Sequence, residues 1–308
     1  MAITGDGTQA SPYIITSYDD LKEFSTDYSL TGNYLQLAND INCKNYGNKF
    51  VWETINLRSQ RQGEHTYFDL NGHTIKNVSI ATDNYMFMDG TNHNSVAHIS
   101  NGTLENIYAF TANGISLGNV DFNNVGISCD LTGVKNIAFG MYPAFHNCGI
   151  RVVSNTPCSN VIQLEQNNNV TYYLNGIVED TDFIIDLPST QLIMVSDGWL
   201  SDVINCRFTG KVTGWLYQLV KARNLTNIVV DIDFSDCTYT GSSSATWETN
   251  KYHPLVGNET ACVINTENIP SYEQCGGYFN VGSVIQANTT QIRTGSWLRE
   301  NGFEVVNV

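Results

Sequence analysis

The chain has 308 residues, with 15 basic and 30 acidic side chains and a net charge of −15. Its basic residues are dispersed without a run of Lys or Arg, a surface badly suited to a phosphate backbone, so no nucleic-acid partner is expected. No apolar run approaches the roughly 20 residues that span a bilayer, and residues 1–6 hold neither a basic nor an apolar leader region, so no membrane partner is expected and synthesis in a cytoplasm is.

The first legible element is Gly5-Asp6-Gly7-Thr8 followed by Pro12-Tyr13-Ile14-Ile15-Thr16, a glycine-rich start leading into a short strand. Ser17 with Asp20 three residues on has the spacing of a capping box, and Leu21, Phe24 and Tyr28 fall on one face of a helix. A helix is therefore predicted within residues 17–28, where it would cover an otherwise open strand edge.

Residues 66–80 carry the strongest pattern. Alternating strands are joined through the Asn71-Gly72 corner and stopped at Asn77, with Phe68, Leu70, Ile75, Val78 and Ile80 supplied to an interior. Looser copies follow at Asn101-Gly102-Thr103-Leu104, Asn123-Asn124-Val125-Gly126-Ile127, His146-Asn147-Cys148-Gly149-Ile150, Ile204-Asn205-Cys206 and Thr226-Asn227-Ile228. Counted from Asn to Asn, the marks at 77, 106, 124, 147, 205 and 227 stand 29, 18, 23, 58 and 22 residues apart. If the interval of 58 hides two turns, the repeat is close to two dozen residues, within the period of stacked-repeat architectures. With 36 Asn and 25 Gly and no long 3.6-residue periodicity, the chain is a poor helix former. The expected fold is all-β, a parallel β-helix with coils from about Tyr34 to Val230; a β-sandwich of ordinary hairpins is the alternative.

Few residues point to chemistry. Gly114-Ile115-Ser116-Leu117-Gly118 matches the nucleophile-elbow spelling, but a strand-like run follows where a helix is needed. The histidines at 65, 73, 93, 98, 146 and 253 form no metal-binding spelling, and the cysteines at 43, 129, 148, 158, 206, 237, 262 and 275 form no C-x-x-C pair. The cysteines read as buried free thiols, with a disulfide among the later ones as the alternative. Asp231 and Asp233 share one strand face, the arrangement a glycosidase uses; Asp180 and Asp182, preceded by Glu179, form a second pair of that type. Both pairs also fit a solvated outer face on an acidic chain. Trp199, Trp215, Tyr217, Tyr239 and Trp247 offer faces for sugars or for contacts between subunits. Residues 241–245 read as a flexible loop, and the repeat is lost from there to about Ser283, a stretch holding Tyr252, Pro254 and Pro270.

The chain closes on Gly295-Ser296-Trp297-Leu298-Arg299-Glu300-Asn301-Gly302-Phe303-Glu304-Val305. Together with the opening at residues 5–21 and the repeat between them, this segment resembles a broad group of right-handed β-helix proteins of bacterial surfaces and bacteriophage particles. The resemblance implies a right-handed, single-stranded parallel β-helix of one domain: a cap over 1–33, coils over 34–240, and a loop excursion with a closing segment over 241–308. It further implies a non-enzymatic virion protein exposed on the particle as head decoration, head fibre or tail-associated rod. Its partners would be capsid or tail proteins, other copies of itself (a trimer among the options) and a host-surface glycan, with no cofactor and no metal. A phage polysaccharide depolymerase using paired carboxylates and a bacterial surface adhesin are the alternatives.

Overall fold

The computed structural model describes residues 3–27, 29–47, 50–57, 65–80, 84–88, 96–109, 114–132, 137–140, 143–156, 160–163, 176–188, 194–195, 202–215, 219–238, 251–252, 255–270, 278–279 and 284–303. The chain is all-β in character, and its strands pair in parallel. Among the described residues, sixteen strands form one large sheet that runs, in spatial and sequence order alike, from Tyr13–Ile15 through Tyr34–Leu37, Thr66–Asp69, Ala97–Ala109 and Val120–Asp130 to Asp202–Trp215, Val220–Asp233, Leu255–Asn265 and Ile285–Ala287. Short strands at Ile55–Asn56, Phe87–Met88, Ser116–Leu117, Ile137–Gly140, Asn160–Gln163 and Met194–Val195 form a second parallel sheet in the same order. From Ile55–Asn56 to Met194–Val195, strands of the second sheet alternate along the sequence with strands of the large one.

The corners explain the asparagines. Asn77, Asn106, Asn124, Asn147, Asn205 and Asn227 all have φ between 52° and 59°, a left-handed conformation that Asn tolerates because its short side chain bonds locally. They belong to two columns. Strand register aligns Asn101, Asn124, Asn147, Asp180, Asn205, Asn227 and Ala261 in one, and Asn77 with Asn106 in the other. The short interval of 18 therefore straddles two columns, and Asp180 divides the interval of 58 into 33 and 25 residues. Along the first column the carboxamides form a ladder: Asn124 Nδ2 donates to Asn101 Oδ1 (3.2 Å), Asn147 to Asn124 (3.3 Å), Asn205 to Asp180 Oδ1 (3.0 Å) and Asn227 to Asn205 (2.9 Å).

Side chains before and after each corner alternate as the pleat requires. Phe68, Leu70 and Ile75 point inward and are buried, as do Phe122, Phe145, Phe183 and Phe208. Phe122 stacks on Phe145 at 5.3 Å, and Phe183 on Phe208 at 4.8 Å, in neighbouring repeats. Cys148, Cys206 and Cys262 each follow a corner directly and fill this interior; with Cys43, Cys129 and Cys237 they are buried thiols outside any disulfide, while Cys158 and Cys275 lie outside the described residues. Burial pushes the Cys206 thiol up to about 12, the state of an inert filler.

Helix α1 (Tyr18–Thr26) forms where predicted; Tyr28 lies outside the described residues. Ser17 Oγ accepts from Asp20 N–H at 3.2 Å, and the Asp20 carboxylate accepts from the Thr16 N–H and hydroxyl, both at 2.7 Å. Burial pushes Asp20 up, but these bonds outweigh it and hold its carboxyl below the ordinary value. Leu21 and Phe24 enter the core beside strands Tyr13–Ile15 and Ile55–Asn56. The glycine-rich start is a close-packing device: a Cβ on Gly7, whose φ is +72°, would lie 2.6 Å from Gly32 Cα.

One feature differs from the sequence expectation, and a second adds to it. The repeat resumes at Leu255–Asn265, in parallel register with Val220–Asp233, and its corner is Ala261, which carries no asparagine signal. The closing segment folds as helices α2 (Thr289–Ile292) and α3 (Gly295–Glu300), which cover the outer face of the last repeats. Ile292, Leu298 and Phe303 pack on Val229 and Val263, which point away from the main core, and this small cluster is separate from it. Among the described residues no helix is long and apolar enough to cross a membrane.

Candidate functional site

The residues singled out by sequence are mostly engaged in holding the fold. Asp231 and Asp233 do share the outward face of strand Val220–Asp233, yet Asp231 is not solvated: α2 and α3 cover it. Its Oδ2 accepts from Arg293 Nε at 2.6 Å and its Oδ1 from Asn265 Nδ2 at 2.8 Å, and Asn265 also donates to Thr289 Oγ1 at 2.9 Å. Asp231 thus fastens the closing segment to the sheet. Burial pushes Asp233 up, but hydrogen bonds from Ser235 and the Lys211 charge outweigh it, leaving its carboxyl below the ordinary value. Asp180 and Asp182 do not share a strand face, because Asp180 is a corner residue at φ 49° between strands Ile177–Glu179 and Asp182–Pro188. Ser116 is fully buried and is followed by strand Val120–Asp130, which leaves no elbow. Trp199, Tyr217, Tyr239, Trp247, His93, His253 and residues 241–245 lie outside the described residues, as does the Trp215 side chain.

What the fold does bring together is a row that the sequence leaves scattered. Outward positions on the strands preceding the corner column align as Tyr34, Tyr67, His98 and Asp121 in one line. Two residues along each strand, Asp69, Ser100, Asn123, His146 and Glu179 make a second. Their inward neighbours, Phe68, Ile99, Phe122, Phe145 and Val178, anchor the row in the core. Rings stack along it, Tyr34 on Tyr67 at 4.7 Å and Tyr67 on His98 at 4.8 Å with an interplanar angle of 8°.

From there polar contacts run from repeat to repeat. His65 Nδ1 is 3.0 Å from His98 Nε2, and His98 Nδ1 is 2.7 Å from Asp121 Oδ2. Asp121 Oδ1 faces His146 Nε2 at 3.4 Å, a diagonal contact, and His146 Nδ1 is 2.7 Å from Glu179 Oε1. A carboxylate only accepts, so the hydrogens of the two short contacts sit on His98 Nδ1 and His146 Nδ1. Asp121 is only 8% exposed although it points outward, because the imidazoles of the neighbouring repeats lie over it. Burial, then the neighbouring His98, lowers the His65 pKa and favours its neutral form. The row is linear, with the His146 ring between Asp121 and Glu179; among the described residues no three His, Cys, Asp or Glu side chains are grouped to hold a metal.

Beside the row, the carboxamides of Asn101, Asn124 and Asn147 and the backbone at Gly102, Gly126 and Gly149 line an open groove of about 370 Å³. A Cβ at Gly149 would meet nothing within 4 Å, so the fold does not demand glycine there. The groove is neutral and rich in hydrogen-bonding groups. Sequence inspection names His98 and His146 but misses their partnership, which depends on register across repeats of unequal length; the alternation of Tyr67 with the inward Phe68 is the one signal that marks the face. No family model, no curated protein and no solved structure matches this chain.

Proposed function

We propose that the chain is a right-handed, single-stranded parallel β-helix that serves as a non-enzymatic structural protein on the surface of a bacteriophage particle, as head decoration, head fibre or tail-associated rod. Parallel strand order that follows the sequence, strands of two parallel sheets that alternate along the chain, and a helix near its start support the β-helix; the strong right-handed preference of parallel crossovers supports its hand. The resemblance of the opening and closing segments supports the virion assignment. One observation carries the non-enzymatic reading: the carboxylates that could serve as a catalytic pair are engaged, Asp231 by Arg293 and Asn265, and Asp121 and Glu179 by His98 and His146. Such a rod acts through its faces, binding capsid or tail proteins, other copies of itself and a host-surface glycan.

The depolymerase alternative now rests on Asp121 and Glu179 rather than on Asp231 and Asp233. Purified protein incubated with host capsule or wall polysaccharide should release neither reducing ends nor unsaturated products, and should co-sediment with particles. Turnover by the wild type that is lost in Asp121→Asn/Glu179→Gln would replace the structural reading with the enzymatic one.

A further inference from the structure

We infer that the polar row is a proton-operated clasp. In acid, His146 takes up a hydrogen on Nε2 and, as an imidazolium, ties Asp121 to Glu179 across three neighbouring strands of the large sheet, Val120–Asp130, Ala144–His146 and Ile177–Glu179. A buried oxygen without a donor carries the inference. Asp121 is 8% exposed; its Oδ2 is taken up by His98 Nδ1 at 2.7 Å, and its Oδ1 is shut off from water and accepts no hydrogen bond among the described residues. A carboxylate oxygen left in that state is costly. The nitrogen facing it is His146 Nε2, at 3.4 Å. Because the hydrogen of the neutral ring sits on Nδ1, 2.7 Å from Glu179 Oε1, Nε2 offers Asp121 only a lone pair. One added proton turns this mismatch into two charge-assisted hydrogen bonds, one to each carboxylate, with the Nε2 contact drawing in by about 0.5–0.7 Å to the usual 2.7–2.9 Å.

Register and charge both suit His146 to this role. Register sets Ala144, with only a methyl group, beside Asp121, which lets a ring two residues further on reach the carboxylate. The titratable groups that face His146 are Asp121, with His98 behind it, on one side and Glu179 on the other. Among the described residues neither carboxylate meets a lysine or an arginine, and the next acid along the sheet, Asp202, is held by its own Arg223 at 2.6 Å. Positive charge for the row therefore comes from an imidazole. His98 is the poorer acceptor of a proton, since its Nε2 already shares a hydrogen with His65 Nδ1 at 3.0 Å, whereas His146 Nε2 takes one with nothing displaced. The folded chain then holds this proton more firmly than the unfolded chain does. The stability it supplies is present in acid and lost as the pH rises, the opposite sense to His65.

The test is nitrogen-15 magnetic resonance of the full chain with labelled histidine, recorded at about pH 5 and about pH 8, on either side of the ordinary imidazole range. His146 should carry hydrogens on both ring nitrogens in acid and on Nδ1 alone in base. Denaturation midpoints at the same two values give a second readout. His146→Gln, whose amide still donates to Glu179 but takes up no proton, should match the wild type in base and fall behind it in acid. The same substitution made in Asp121→Asn should lose most of that acid-dependent gap, because the second carboxylate is gone. A gap equal at both values or wider in base would overturn the clasp. So would an acid spectrum in which His146 Nε2 is bare or the added hydrogen sits on His98 instead, and this wild-type spectrum decides the matter if a variant fails to fold.

Discussion

Asp121 and Asp231 occupy equivalent situations by sequence and different ones in the folded chain. Both lie on the large parallel sheet, both point away from the main core, and both are buried, at 8% and 5% exposure. Asp121 is covered by side chains from the repeats on either side, His98 and His146, whereas Asp231 is covered by the closing helices, which return from some sixty residues later through Arg293. Pointing outward on a sheet is therefore a statement about the pleat alone. Whether the position meets water is decided by what neighbouring repeats present and by where the chain's end comes to rest.

Substitutions can break or sharpen this contrast. An inward residue sets the upper limit: Leu70→Asp places an uncompensated carboxylate in the core and should cost at least several kcal/mol, giving insoluble protein. Normal solubility and unfolding of that variant would show that the strand is out of register. Next should come Arg293→Ala, which strands the Asp231 carboxylate with Asn265 as its remaining partner. The loss should be about 2 kcal/mol, below the roughly 3–5 kcal/mol of a fully buried pair because the guanidinium is 57% exposed. Asp231→Asn should cost less, since Arg293 can then turn to solvent; hydrogen exchange over residues 289–303 would rise in both. The reverse order of the two would mean that the closing helices do not depend on this charge.

Smaller effects separate the corners from the faces. Asn124→Ala should cost about 1–2 kcal/mol, through the left-handed backbone and the lost ladder bonds, and Asn124→Gly should cost less. Ala261→Gly should stabilise by a few tenths of a kcal/mol to about 1 kcal/mol, because it relieves the same strain. Chemical denaturation of the three variants measures all of this, and equal effects of Ala and Gly at 124 would contradict the corner assignment. The smallest expected effect concerns pH. The folded-state pKa of His65 lies below its ordinary value of 6.5, so on acidification the unfolded chain takes up its proton first. Stability from neutral His65 is therefore present above pH 6.5 and lost as pH falls below that value, and the gap between wild type and His65→Gln should change in that direction across a denaturation series.

How much was legible follows from the range over which each feature is encoded. The inward positions of Phe68, Leu70 and Ile75 rest on alternation within one strand pair, and α1 rests on a cap and a face within a dozen residues; both are local and both are found. The asparagine corners are local too, and every phase mark has positive φ. Their assignment to two columns was not legible, because it depends on pairing between strands. Asp180 and Ala261 occupy corners without the marker residue, which hid one repeat boundary and made the repeat seem to end early. The His65 to Glu179 row is the least local of all: its contacts join residues 33, 23 and again 33 positions apart, and these unequal intervals leave no fixed spacing to read. Likewise, nothing near Asp231 in sequence announces Arg293.

The corner column advances by 23, 23, 33, 25, 22 and 34 residues while the strands on either side keep their pairing. The unequal steps leave the pairing of the ladder strands unchanged, and lengthening a connection is thermodynamically mild, about 0.6 kcal/mol for each doubling. A peptide grafted between Gln163 and Ile177 would thus leave strands Ala144–His146 and Gly149–Val153 on the partners they already have. The spacing of the corners and the pairing of the strands are thus set by different residues.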